Sequence, residues 1–214
     1  AFIPYNGYYS SPFVRWQGAF STDNSIILSA TTSKKWFQYK NFDPNIIDFF
    51  IYGTSVHQKH GFWANTWAPA LMGAEHTTGT TIYQACTTSA TAIYHAAMGV
   101  ELNEYKIPYC LISDRISNSP HTVWPNPKGK GGKVETEDWV MDNFNKDPWA
   151  GQSMIQTADN MARKGNITKE QLDECTLLRH EQYKMSLKNN REFQKKYMFP
   201  VGSIDNDNGD GKQK

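Results

Sequence analysis

Cysteine is scarce in this chain of 214 residues: Cys86, Cys110 and Cys175 are widely spaced and odd in number, which excludes a disulfide framework and paired zinc-ligand spacing. A reducing compartment follows, and a cytoplasmic protein is the expectation. Neither sign of charge prevails, since 22 Lys and Arg face 21 Asp and Glu for a formal net charge of +1. No basic field is available to hold nucleic acid, and no acidic excess keeps the chain disordered. Long hydrophobic runs are missing too, and the first residues, Ala1-Phe2-Ile3-Pro4-Tyr5-Asn6, lack the basic start and apolar core of a signal peptide. Neither nucleic acid nor membrane is expected as a partner.

Metal and nucleotide signatures are equally thin. The six histidines form no HExxH or comparable helix-face pair; His57 and His60 make a lone HxxH, read as solvated or packing. The run Lys128-Gly129-Lys130-Gly131-Gly132-Lys133 lacks phosphate-loop spacing and puts Val134 where a magnesium-binding hydroxyl is needed. Residues 205–210 imitate a calcium loop, but Gly209 occupies a ligand position and the twelfth-position Glu is absent. No metal is expected.

What is present is a globular composition, 39% hydrophobic and 14% aromatic, enough for one large domain or one domain with a sizeable insertion. Ile26, Ile27, Ala30 and Lys34 are spaced for a helix over 21–35, with Ser21 or Thr22 as its N-cap. The β-branched and aromatic run over 46–52, closed by Gly53, predicts a buried strand. A helix over 64–72, a strand over 80–83, a helix over 90–101 and a strand over 107–113 follow. This strand-helix-strand-helix-strand order implies a layered α/β domain with crossover helices over 1–116.

From Ser117 the texture changes. Pro120, Pro125, Pro127 and the Gly-Lys run make 117–133 too loop-like to extend a sheet. Met154, Thr157, Ala158, Met161 and Ala162 then trace one helical face that Gly165 ends. Thr168 with Gln171 forms a capping box, flanked by Ile167 and Leu172 at staple positions, and Leu172, Cys175 and Arg179 continue one face, which places Cys175 in packing. A second, mainly helical region over 117–202 is expected, and 203–214 reads as a solvated loop.

Cys86 stands where Thr80-Thr81-Ile82-Tyr83 gives way to the helical run from Ala90. A thiol at a helix N-terminus meets unpaired backbone N–H groups and the positive end of the helix dipole, which favour thiolate and make the sulfur a nucleophile. The bland alternative is a small buried hydrophobe, the commonest use of cysteine. Context beyond the residue itself has to decide between them.

That context is collinear. Ser11-Pro12-Phe13-Val14-Arg15-Trp16-Gln17-Gly18, Ile47-Asp48-Phe49-Phe50-Ile51-Tyr52-Gly53, Tyr83-Gln84-Ala85-Cys86-Thr87-Thr88-Ser89-Ala90 and Ser117-Asn118-Ser119-Pro120-His121 resemble four successive segments of the N-terminal half of the thiolases, the acyl-CoA C-acyltransferases. Residues 154–162 and 167–182 are similar to the two helices of that family's loop domain. The resemblance implies a thiolase-like α/β fold with the loop domain inserted after it. It implies Cys86 as the catalytic residue, acylated by an acyl-CoA or 3-oxoacyl-CoA, with coenzyme A as substrate and no covalently bound cofactor. It also implies a homodimer or tetramer, with or without an additional small subunit.

The family's remaining catalytic groups, a G-H-P histidine, an N-E-A-F asparagine and a C-x-G cysteine, do not occur in these residues. The resemblance therefore implies half an enzyme, its C-terminal half supplied by the same polypeptide or by a partner chain. Two departures concern the acyl site. Thr87-Thr88-Ser89 stands where many members have Gly-Ser-Gly, and Ser153 stands where several have His. Met154 keeps an apolar wall position, so Ser153 and Met154 are the candidate substrate-binding residues. Trp63, Trp67, Trp124, Trp139 and Trp149 offer planar surface that suits a bulky or aromatic acyl group. The alternatives are another condensing enzyme of this fold, of ketoacyl synthase or hydroxymethylglutaryl-CoA synthase type, and a non-catalytic acyl-CoA-binding scaffold.

Overall fold

Asn24 starts the first helix, α1 (Ser25–Lys40), by accepting hydrogen bonds from the N–H groups of Ile26 and Ile27, and its own amide reaches the Lys59 carbonyl. Neither Ser21 nor Thr22 is the cap. Asn is at least as good a capping residue, and here it is also tied to a distant loop, which sets the helix start. The computed structural model describes residues 1–202, 204 and 205. Ile26, Ala30, Ser33 and Phe37 recur at intervals of four, three and four, and all are buried, the stripe expected of a helix that covers a core.

Strand β1 (Phe49–Gly53) begins later than the apolar run does. Pro44–Ile46 forms a turn of 3-10 helix, and Asp48 accepts from the N–H groups of Lys106 and Ile107 at 2.6 and 2.8 Å, so regular pairing starts at Phe49. Helix α2 (Ala64–Met72) closes on Gly73 at φ 92°, a left-handed position that suits glycine. Then come β2 (Gly79–Ile82), α3 (Thr88–Glu101) and β3 (Pro108–Ile112). The three strands are parallel in the order β2-β1-β3, with Phe50 opposite Gly79 and Tyr109. This is the expected α/β arrangement.

The sheet has a core on each face because side chains alternate along a strand. Phe50 and Tyr52 point to one side and join Ile26, Phe37, Ile47, Ala64, Ala68 and Met72; Ile51 points to the other and joins Ala92 and Ala96 of α3. Gly53 is required where it stands. A Cβ there would lie 2.7 Å from Ile112 Cδ1 and 3.0 Å from Thr88 Cγ2, so its absence lets the start of α3 approach the end of the sheet.

The described chain divides into two compact units, Ala1–Pro120 with the described residues after Met198, and His121–Met198. In the second unit the loop-like stretch contains a strand after all. β4 (His121–Trp124) pairs antiparallel with β5 (Glu135–Asp138) as a separate two-stranded ribbon. The Pro- and Gly-rich run between them is the ribbon's connection, and Trp124 donates its indole N–H to Glu137 across it.

Short helix α4 (Met141–Asn145) leads to α5 (Met154–Lys164) and α6 (Lys169–Ser186). Gly165 caps α5, and the Thr168–Gln171 capping box is formed in both directions. Cys175 is exposed, and no residue of α6 is buried. The packing face predicted for it finds nothing to pack on within this unit. Helix α7 (Lys188–Lys195) is interrupted at Asn189, Asn190 and Arg191, all at positive φ. Most of 203–214 lies outside the described residues, but Ile204 bridges Val201 and is 5% exposed, where composition predicts a solvated loop. Among the described residues no helix is long and apolar enough to cross a membrane, and no group of three or more His, Cys, Asp or Glu is placed to hold a metal ion.

Candidate active site

Cys86 is exposed on a 3-10 turn, Ala85–Thr87, that joins the end of β2 to α3. The strand gives way to a helix as expected, but the two N–H groups that directly follow the thiol are not the unpaired donors expected there. The 3-10 turn comes first, so the N–H groups of Thr87 and Thr88 are already bonded to the carbonyls of Gln84 and Ala85. Just before the thiol, Ala85 adopts φ 46°. A residue with a Cβ in the left-handed region is strained there, and such strain concentrates at functional sites.

Side chains of the turn itself and of α3 hold it. Thr88 Oγ1 accepts from the Gln84 N–H at 2.9 Å and donates to the Ala85 carbonyl at 2.8 Å; Thr87 Oγ1 donates to the Gln84 carbonyl at 2.9 Å. Thr91 reaches the Gln84 side chain at 2.5 Å. The threonines that replace small residues after the cysteine therefore act as local braces, with Thr88 buried.

The other two thiols differ from Cys86. Cys110 lies in β3, its Sγ 3.7 Å from the Ala92 carbonyl, and burial pushes its pKa up to about 11. It is therefore protonated and unreactive at neutral pH. Cys175 is exposed on α6 in the other unit, within the helix rather than at its N-terminus. Ser153 is the N-cap of α5, its Oγ accepting from Gln156 N–H at 3.2 Å, and Met154 is the first residue of that helix, exposed. Ser153 and Met154 thus adjoin each other in the His121–Met198 unit, while Cys86 belongs to the other.

The five tryptophans do not share one environment. Trp67 packs against the main core, Trp63 lies edge-on to Phe62 at 5.0 Å, and Trp124, Trp139 and Trp149 belong to the second unit. His60, at φ 67°, meets Trp67 edge-on at 5.8 Å.

One feature beside the nucleophile turn gives no signal in the sequence. The Asp114 carboxylate accepts four hydrogen bonds from the loop after β1, from Thr54 Oγ1, Ser55 N and Ser55 Oγ at 2.7 Å each and from Val56 N at 2.9 Å. It pins that loop to the chain leaving β3. The next residue, His57, places Nδ1 3.0 Å from the Tyr83 hydroxyl. Burial raises the Tyr83 pKa, with Tyr52 and Asp114 adding to the effect, so the phenol keeps its proton at neutral pH.

The sequence matches the thiolase N-terminal domain over residues 7–213. It is 24% identical over 188 residues to an acetyl-CoA acetyltransferase of Yarrowia lipolytica, a match that covers 84% of this chain and 45% of that protein. Among solved structures, the fold is similar to a Bacillus anthracis acetyl-CoA acetyltransferase at TM-score 0.77 and 22% identity, over 89% of this chain and 48% of that one. It is also similar to a thiolase from Ascaris suum in complex with coenzyme A, at TM-score 0.78 and 19% identity, over 91% of this chain and 50% of that one. The chain spans about half the length of the relatives it matches.

Proposed function

Because the chain belongs to the thiolase family, we propose that it forms the nucleophile-bearing N-terminal part of an acyl-CoA C-acyltransferase, with Cys86 as the residue that is acylated. The observation that carries this reading is the exposed Cys86 thiol on a braced turn at a strand-to-helix junction, behind a strained Ala85. In the cleavage direction the Cys86 sulfur attacks the 3-oxo carbonyl carbon of a 3-oxoacyl-CoA. The bond between C2 and C3 breaks, and its electron pair stays with C2, which takes a proton to leave as acetyl-CoA. The acyl group now forms a thioester on Cys86. The thiol of a second coenzyme A attacks that carbonyl, the Cys86 sulfur departs with the proton, and the shortened acyl-CoA is released.

Stabilising the two oxyanions and supplying the base near C2 require groups beyond those at Cys86. We assign them to a C-terminal half, in the same polypeptide or a partner chain, because the family's histidine, asparagine and second-cysteine motifs are absent from these residues. Ser153 and Met154 are proposed to border the acyl group, Met154 through its exposed side chain and Ser153 by capping the helix that presents it. A bulky or aromatic acyl group is the finer proposal. Trp67 is already engaged in the core, which leaves the exposed Trp63 and the tryptophans of the second unit to support it. A cytoplasmic location and a homodimer or tetramer complete the reading.

Acyl-CoA incubation followed by peptide mapping tests it. The adduct is expected on Cys86 and absent in Cys86→Ala, with turnover of the complete enzyme falling by several orders of magnitude. An adduct on Cys110 or Cys175, or full activity in Cys86→Ala, removes the assignment. The 214-residue chain alone is expected to show no thiolysis.

A further inference from the structure

Strained backbone persists only where its surroundings over-determine it, so what holds Ala85 bears on what Cys86 can do. The threonine bonds described above all come from the turn itself or from α3. They tie the turn to α3, which packs on the sheet, and none of them reaches the loops that follow β1 and β3. Contacts that reach outside include the Thr54 N–H to the Ile82 carbonyl, at 3.1 Å, and the Tyr83 hydroxyl to His57 Nδ1. The His57 and Tyr83 rings are also in contact, with centroids 4.7 Å apart and planes inclined at 42°.

His57 stands on firm ground. It directly follows Thr54, Ser55 and Val56, the residues that Asp114 holds by four hydrogen bonds. Tyr83 is three residues before Cys86 and is the last residue before the turn begins to bend. A path therefore runs from the Asp114 carboxylate through the loop to the imidazole, across to the phenol, and along two residues to the thiol. We propose that His57 and Tyr83 are a positioning pair that fixes the Cys86 turn to the Asp114-pinned loop and thereby keeps the sulfur at the start of α3.

A hydrogen bond between an imidazole and a neutral phenol suits this task. The phenol donates to Nδ1 when the imidazole is neutral and accepts from Nδ1–H when it is protonated, so the link survives either state. The partly exposed rings add contact area that a smaller polar pair does not supply. The inference rests on Cys86 being the nucleophile. It adds a reason why that thiol is reactive, and it assigns no acid-base step to His57.

The test reads Cys86 reactivity without any acyl substrate: the rate of alkylation by iodoacetamide in the full chain, mapped by peptide, with Cys175 as internal reference. Tyr83→Phe and His57→Ala are each expected to slow Cys86 labelling about threefold to tenfold, the scale of one hydrogen bond. The double variant is expected to slow it no further than either single one, because both remove the same link. His57→Gln, which keeps a group able to meet the phenol, is expected to restore most of the rate. Unchanged labelling of Cys86 in Tyr83→Phe, additive losses in the double variant, or a parallel change at Cys175 overturns the pairing. Should His57→Ala not fold, Tyr83→Phe keeps the ring and decides the matter alone. The two readings fail separately. A chain never acylated by acyl-CoA but showing this coupling loses the acyltransferase proposal, whereas one acylated at Cys86 without the coupling loses only the positioning pair.

Discussion

The two units of this molecule are built from similar amounts of helix yet held together differently. In the first, Phe50, Ile51 and Tyr52 are buried on both faces of a parallel sheet and joined by residues from three helices. In the second, Val140 and Gln194 are the buried residues, and α5 and α6 bury none. Apolar side chains there stay open, with Ile155 79% and Leu177 61% exposed. Hydrophobic burial stabilises the first unit, while caps, a two-stranded ribbon and local side-chain pairs shape the second. Tertiary burial is the stronger device by a wide margin, since one core side chain outweighs one cap several-fold.

Truncating one apolar side chain in each unit is the sharpest way to break this comparison. Phe50→Ala is expected to destabilise by about 3 to 5 kcal/mol, because it opens a cavity beneath the central strand. Leu177→Ala is expected to stay within about 0.5 kcal/mol. Denaturant unfolding of both variants checks the pair, and similar losses at the two positions would mean that the α6 surface is covered in solution.

Asp114→Ala comes next in size. It removes the acceptor of four hydrogen bonds and leaves the buried Thr54 hydroxyl with its longer bond to the Val56 carbonyl at 3.1 Å, for an expected loss of about 1 to 3 kcal/mol. Amide exchange should accelerate first at residues 54–56. Uniform acceleration across the sheet would instead make Asp114 a global support rather than a loop anchor.

Cys110 gives the first unit a pH dependence that the second should lack. Its folded-state pKa is raised by burial from an ordinary 9.0 to about 11. Above the lower value the unfolded thiol loses its proton while the folded one keeps it. Deprotonation therefore favours unfolding, and the stability present below pH 9 declines as pH rises from about 9 to 11. Cys110→Ala is expected to lessen the decline, measured as the urea midpoint against pH relative to the parent chain, and to leave the part that comes from Tyr9, Tyr52 and Tyr109, whose pKa values burial also raises.

The smallest expected effect belongs to the second unit. Thr168→Ala removes one side of the capping box and should weaken the start of α6 by about 1 kcal/mol. Helical ellipticity and exchange at the first-turn amides report it. A loss spread over α5 as well would show that the two helices support each other more than their exposed faces suggest.

Local signals were the most legible ones. Helix α2 follows its predicted bounds, and the Thr168–Gln171 box forms as its spacing requires, because caps and periodicity act over a few residues. Where distant groups intervene, the reading slipped. Asn24 takes the cap of α1 while also bonding Lys59, and Asp48 leaves the apolar run to hold the start of β3. The candidate site divides in the same manner. Cys86 was visible as a strand-to-helix thiol within a collinear family pattern. The left-handed Ala85, the Asp114 anchor and the contact of His57 with Tyr83, 26 residues apart, left no trace in spacing or composition.

By itself the sequence determined the order of β1 to β3 and α1 to α3, the capping box of α6 and the stop of α5 at Gly165, the place of Cys86 and the family to which that order belongs, since each depends on neighbours a few residues apart or on collinear motifs. Only the tertiary structure decided which thiols are exposed, which tryptophans are core, that a ribbon interrupts the proline-rich stretch, and what braces the nucleophile turn. In the first unit those outcomes depend on side chains brought together by the β2-β1-β3 order of the parallel sheet, and in the second on the pairing of β4 with β5. Contacts between residues far apart along a chain come into being only when its layers pack.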